Sequence, residues 1–423
     1  MSGPLCGGLG DKATHIAAAT ESAVTGTAFT WAAKALSSPE PQPEPPAMPE
    51  TPIHTPPADA QVWEQGASDR LDDTRLAEAV AFAEASESPW PPTFHYPDGR
   101  FVGIVEWNEK GPWSEIAGVI RHRGGPAGLV LDRGRIVAQW GDTRRADMTF
   151  SVAKSYLAVL AGIALADGLI RDLDEPVGKT VAGPWFASAH NAVITWRHLL
   201  HQSSEWEGEL WAKSDQVDHY RNVGAQADNS RKGDPRPRQA PGRYYEYNDV
   251  RVNVLSLALL MRFRRALPEV LRERIMDPIG ASGEWEWHGY RTSWIDVDGR
   301  RVQSVSGGAH WGGGMMISAR DLARLGLLIA RGGAWNGRQL LPADYVREML
   351  APSPTNGGYG FLWWLNRGKG RRKGWSERCV SAMGAGSNVV WVDPDRDIVA
   401  VLRWIDKGAV DGFLERLGAA IRE

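Results

Sequence analysis

Residues 151–168 read Ser-Val-Ala-Lys-Ser-Tyr-Leu-Ala-Val-Leu-Ala-Gly-Ile-Ala-Leu-Ala-Asp-Gly. In a helix, positions three apart share a face, so Ser151 and Lys154 are neighbours if the helix opens at the serine. A serine in the first turn sits beside backbone N–H groups that have no intrahelical partner and can polarise developing negative charge. A lysine one turn on can take the hydroxyl proton when burial and neighbours leave it neutral. Phe150 before the pair, and Tyr156, Leu157 and Leu160 after it, make the segment apolar on most faces. Such a helix is central and buried, and a lysine on it needs a partner from elsewhere in the fold.

Further along, Pro241-Gly242-Arg243-Tyr244-Tyr245-Glu246-Tyr247-Asn248-Asp249 precedes a helical run from Val252. The Pro-Gly and Asn-Asp pairs mark a loop. A phenol beside a lysine can exchange protons with it, which makes Tyr247 a candidate co-base. Towards the N-terminus, Leu76, Ala79, Val80 and Ala83 recur at helical spacing behind acidic residues, so order is expected from near Asp72. A hairpin follows, with arms GLVLD and RIVAQWGD about Arg133-Gly134. Near the other end SNVVWVD, a turn at Pro394-Asp395-Arg396 and DIVAVLRW form a second hairpin, followed by a helix over 410–421. The intervening chain reads mainly helical, over 156–166, 196–201, 252–263, 268–276 and 319–330. One antiparallel sheet built from both chain ends, with a helical subdomain inserted, satisfies this order.

The 423 residues carry a net charge of −3, so no basic surface for nucleic acid is advertised. Two cysteines, Cys6 and Cys379, exclude a disulfide framework and a cysteine zinc site. No apolar run is long enough to span a membrane. Ala17–Ala35 lacks the basic flank and unbroken apolar core of a signal peptide, so a cytoplasmic location is expected, with the periplasm as the alternative. Residues 38–57 are proline-dense and acidic, and residues 1–60 read as an N-terminal extension outside the fold. His198 and His201, three apart on a helix, lack a third metal ligand, and capping or packing accounts for them. Nucleophile-elbow, phosphate-loop and H-E-x-x-H motifs are absent.

From about residue 70 to 423 the chain resembles the class C β-lactamase-like serine hydrolases, which include penicillin-binding DD-peptidases, family VIII esterases and 6-aminohexanoate-dimer hydrolase. The resemblance rests on six pieces in order. They are Ser151-Val152-Ala153-Lys154 at the S-x-x-K motif, Ile194-Thr195-Trp196-Arg197-His198-Leu199-Leu200, and Pro241-Gly242 with Tyr247-Asn248-Asp249 at the Y-x-N motif. Asp277-Pro278-Ile279-Gly280, the run from Gly312 to Arg324, and a glycine-containing strand before the final hairpin complete them. Two departures stand out. Asp249 replaces the usual Asn, and the third motif falls on Ala382-Met383-Gly384, which has no Lys or His to hold a β-lactam carboxylate.

The resemblance implies an α/β fold of α+β type, β-lactamase/transpeptidase-like, with an antiparallel sheet flanked by N- and C-terminal helices. Its domain would cover 61–423, with a sheet subdomain from about 61–148 and 341–423 and a helical subdomain from about 149–340. It implies Ser151 as nucleophile, Lys154 and Tyr247 as general base and acid, and the backbone N–H groups of Ser151 and Ala385 as oxyanion donors. Asp249, His310, Trp311, Met383 and Gly384 would line the substrate side, with Trp206 and Trp211 as aromatic walls. The substrate would be a small-molecule amide, ester or short peptide, with no cofactor, metal or nucleic acid involved. A small-ester esterase with the same residues and a non-hydrolytic binder or sensor on the same fold are the rival readings.

Overall fold

Asp72 accepts the N–H groups of Thr74 and Arg75 and so opens helix α1 (Asp73–Ala85). The hairpin β1 (Ala127–Asp132) and β2 (Arg135–Trp140) follows. Its two turn residues, Arg133 and Gly134, both have positive φ (49° and 83°), the conformation that suits a two-residue hairpin loop. A short strand β3 (Asp147–Met148) leads into α2 (Val152–Ala166), and a loop-rich stretch then reaches α3 (Asp249–Phe263). Next come β4 (Glu286–Val297), β5 (Arg300–Val305), β6 (Gly314–Ile317) and α4 (Ala319–Ala330). The chain closes with β7 (Trp364–Leu365), β8 (Val380–Gly384), β9 (Asn388–Asp393), β10 (Ile398–Arg403) and α5 (Ala409–Ala420). This computed structural model describes residues 54–56, 63–224 and 228–422. Most of the expected extension, 1–60, lies outside them.

The central sheet is six-stranded and antiparallel throughout, in the order β7-β8-β9-β10-β1-β2. Strand β1 therefore pairs with a strand more than 260 positions later in the chain, with Leu129 opposite Val401. Alternate residues serve opposite faces. Leu129, Leu131, Val399 and Val401 pack towards α2 and α4, whereas Val130, Ala400 and Leu402 pack with α1 and α5. Cover on both faces explains why these strands read as unbroken apolar runs. Helix α4 approaches so closely that a Cβ on Gly326 would lie 2.6 Å from Val399. A second sheet, β3-β6-β4-β5, stands apart from the first.

The structure departs from the sequence expectations in two places. Order begins before Asp72. Trp63 is buried with its indole N–H on the Gly134 carbonyl, and Gly66 pairs with Ile136. Within 149–340, expected to be helical, residues 286–305 form the β4–β5 hairpin. The cause is legible in hindsight: Asp298-Gly299, with φ of 53° and 72°, is a strong hairpin turn signal.

Candidate active site

The nucleophile candidate sits at a bend. Phe150 has φ +49°, a left-handed conformation that costs a bulky residue on the order of 1–3 kcal/mol. Its ring is held by edge-on contacts with Trp90, Phe94 and Trp404. Ser151 follows at the N-cap of α2, yet its hydroxyl makes no cap hydrogen bond. It accepts instead from Lys154 Nζ at 2.6 Å. Lys154 is 1% exposed whereas Ser151 is partly exposed, so the serine is the accessible member of the pair.

The partner that a buried lysine demands is Asp249, at the first position of α3, with Oδ1 2.7 Å from Nζ. The N-cap Asn248 accepts the N–H groups of Val250 and Arg251, fixing the helix start and with it the carboxylate. Burial pushes the Asp249 carboxyl up, but Arg221, Lys154 and His310 outweigh it and hold the group ionised, well below the usual carboxylate range. Tyr247, two residues earlier, presents its ring to the lysine, with Nζ 4.9 Å from the centroid. Arg221 lies over the same ring at 5.2 Å, and Trp364 stacks on it at 5.6 Å.

Behind Asp249 the charges continue. Arg221 Nη1 is 3.1 Å from Asp249 Oδ2 and 3.2 Å from Asp218 Oδ2. Lys232 Nζ contacts Glu109 and lies 3.2 Å from Asp218 Oδ1. His310 places Nδ1 3.2 Å from Asp249 Oδ2 and Nε2 2.5 Å from Glu109 Oε1. Glu109, Asp218 and His310 converge, and the cation between the two carboxylates is the Lys232 ammonium.

Two backbone segments close on Ser151 from other directions. At the end of β8, a Cβ on Gly384 would lie 2.1 Å from the Thr149 carbonyl and 3.1 Å from the Ser151 nitrogen. Only glycine lets the strand approach the Ser151 amide, bringing Ala385 alongside. On the other side, a Cβ on Gly308 would be 3.1 Å from Lys154 Nζ and 3.4 Å from Ser151 Oγ.

The sequence matches the Beta-lactamase family over residues 116–410, about 70% of the chain. The chain belongs to the Beta-lactamase family. Solved structures agree on the fold. A Bacillus anthracis protein assigned as a 6-aminohexanoate-dimer hydrolase has TM-score 0.53 at 14% identity, covering 86% of this chain and 88% of its own. A penicillin-binding protein homologue of Caulobacter crescentus gives 0.52 at 16% identity, over 84% and 97%. A family VIII carboxylesterase gives 0.52 at 15%, over 84% and 99%. The chain is thus a β-lactamase-related serine hydrolase with the β-lactamase/transpeptidase-like fold. Among the described residues, no helix is long and apolar enough to cross a membrane.

Within this family frame the structure brings Ser151, Lys154, Tyr247 and Asp249 together with the Gly384-Ala385 strand end. It corrects several pocket residues. Asp249 is 2% exposed and faces the lysine as a counterion, so it does not line the substrate side. His310 is equally buried, between two carboxylates, and stacks on a fully buried Trp311 at 4.2 Å. Trp206 is a core residue with its indole N–H on the Trp185 carbonyl. Met383, by contrast, is half-buried. His198 caps its own helix through the Thr195 N–H, and His201 packs on Phe361, where burial lowers its pKa to about 4. Sequence reasoning missed Glu109, Asp218, Arg221, Lys232 and Gly308, which come from three separate loops with no motif spacing.

Proposed function

We propose that this Beta-lactamase-family hydrolase cleaves an uncharged amide or ester through an acyl-enzyme at Ser151, with an amide preferred. The supporting observation is the 2.6 Å contact between a buried Lys154 Nζ and a serine hydroxyl that caps nothing. Neutral Lys154 takes the Ser151 proton as Oγ attacks the carbonyl carbon. The N–H groups of Ser151 and Ala385 hold the oxyanion. The proton then passes from Lys154, through the Tyr247 phenol, to the leaving group. Water resolves the ester by the reverse path.

The preference for uncharged substrates rests on Ala382-Met383-Gly384, which offers no cation for a ligand carboxylate. Arg378, the nearest basic residue in sequence, is paired with Asp395 at 2.8 Å. Asp249 is enclosed by Lys154, Arg221 and His310 and presents no bare anion to the substrate, so the missing cation is what disfavours such a ligand. The test is reaction with a fluorophosphonate probe followed by mass mapping. The label should fall on Ser151, whereas a label elsewhere or none would overturn the assignment. On the same preparation, kcat/KM for neutral esters and amides should exceed that for nitrocefin, and the opposite order would overturn the substrate preference.

A further inference from the structure

The buried charges around Asp249 do not balance in every protonation state. Three carboxylates, Asp249, Asp218 and Glu109, face two fixed cations, Arg221 and Lys232, each held between two of them. The remaining basic groups are Lys154 on Asp249 Oδ1 and His310 on Asp249 Oδ2. The side chains of all seven are at most 3% exposed, so excess charge is not screened by water. The set is neutral when one of Lys154 and His310 carries a proton, and positive when both do.

We propose that Lys154 and His310 share one proton across the Asp249 carboxylate, so that protonated His310 is the state in which Lys154 is free to act as base. His310 and Arg221 are then positioning residues: neither touches substrate, and both act through Asp249. In the reactive state the proton is on His310. On acylation the Ser151 proton moves to Lys154, making the cluster transiently cationic, and leaves it for the departing amine or alcohol. No proton is gained or lost over the cycle.

The groups facing this pair are few. His310 meets Asp249, Glu109, the Trp107 ring at 5.0 Å and Trp311. Lys154 meets Ser151, Asp249 and the Tyr247 ring. Lys213 lies over Trp311 at 5.0 Å, but its ammonium is taken by the carbonyls of Trp113 and Glu115. Burial lowers its pKa to about 8, despite Glu109 and Glu115, so it does not compete for Asp249.

The inference rests on Ser151 and Lys154 acting as proposed above. It is tested by the pH dependence of fluorophosphonate labelling and of p-nitrophenyl butyrate hydrolysis. Arg221→Gln and His310→Gln each remove a positive charge, so Lys154 should keep its proton to higher pH. The acid limb of both profiles should move at least one pH unit alkaline, with activity recovering above it. Arg221→Lys keeps the charge and should restore the wild-type limb. A merely structural role would lower rates at every pH without moving the limb. An unmoved limb in His310→Gln would mean His310 is neutral in the working enzyme and would overturn the proposal.

Should either Gln variant fail to fold, ¹⁵N-histidine spectra of the wild type decide. Imidazolium shifts for His310 across the activity plateau support the shared proton, and a neutral ring overturns it. Ser151→Ala serves as the control. If it retains labelling and turnover, the nucleophile assignment has failed, and the charge cluster is not what was measured.

Discussion

Two buried ion networks flank Tyr247-Asn248-Asp249, and they are built from different chemistry. On one side Glu205, Glu246 and Asp215 are bound by Arg236 and Arg251. Arg236 forks onto Glu205 and also binds Glu246, while Arg251 binds Asp215, Glu205 and Glu246. Asn248 ties this network to α3 by donating to the Asp215 carbonyl. On the other side the groups around Lys154 are close but poorly aligned. Glu109 Oε2, Asp218 Oδ1, Asp249 Oδ1, His310 Nε2 and Arg221 Nε are all buried without a hydrogen bond. Guanidinium forks do not titrate and fix geometry. Amines and imidazoles titrate readily, and misaligned partners leave proton positions adjustable. One network is a clamp that presents the Tyr247–Asp249 segment, and the other is where protons can move.

Perturbing each network should therefore be read out differently. The largest effect is expected from Ser151→Ala, which should cost on the order of 10³-fold or more in kcat at unchanged thermal stability. Retention of a tenth of the wild-type rate would place the chemistry elsewhere. In the clamp, Arg251→Met takes the guanidinium from buried Asp215 and one of two arginines from Glu205 and Glu246, and chemical denaturation should show a loss of about 3–5 kcal/mol. Its acid limb should stay in place, and a shifted limb would merge the two networks into one. Lys154→Arg keeps a charge on Asp249 but cannot release a proton near neutrality, so kcat should fall about 10²-fold or more, measured by steady-state hydrolysis.

The smallest effect is in acid. Burial pushes the Asp215 carboxyl up, but Arg251 and His219 overcome it and hold it at about 2. A depressed carboxylate stabilises the fold above its unfolded value near 4 and loses that contribution as pH falls towards 2. About 2 kcal/mol should disappear over this window in wild type and much less in Asp215→Asn, followed by urea titration.

What was legible in the sequence tracks how local the cause is. Ser151 and Lys154 are one helical turn apart, so spacing alone pairs them. Both hairpins that build the central sheet were visible because strands buried on two faces read as apolar runs. Asp249 was visible as a departure from the Asn of the Y-x-N motif but misread as substrate-facing. Its meaning lies in Arg221 and His310, from segments 28 positions before and 61 positions after it. Trp206 and Trp311 were misread for a related reason. A tryptophan in a loop can point inward, and the Trp185 carbonyl that claims the Trp206 indole has no sequence mark.

The interleaving of the two chain ends has a consequence for biosynthesis. Strand β1 is complete at residue 132, but one of its two flanking partners is β10, which ends at residue 403. A ribosome therefore releases some 270 residues while β1 keeps an open edge, and Leu71 waits longer still for Ile421, 350 positions on. The nascent chain can settle α2 and α3 against each other, yet it cannot close its sheet until translation is almost finished. Long-range pairing of this kind slows folding and leaves strand edges open to other chains. A stop codon between α3 and β9 should yield an aggregating chain, even though Ser151, Lys154 and Tyr247 have all been made.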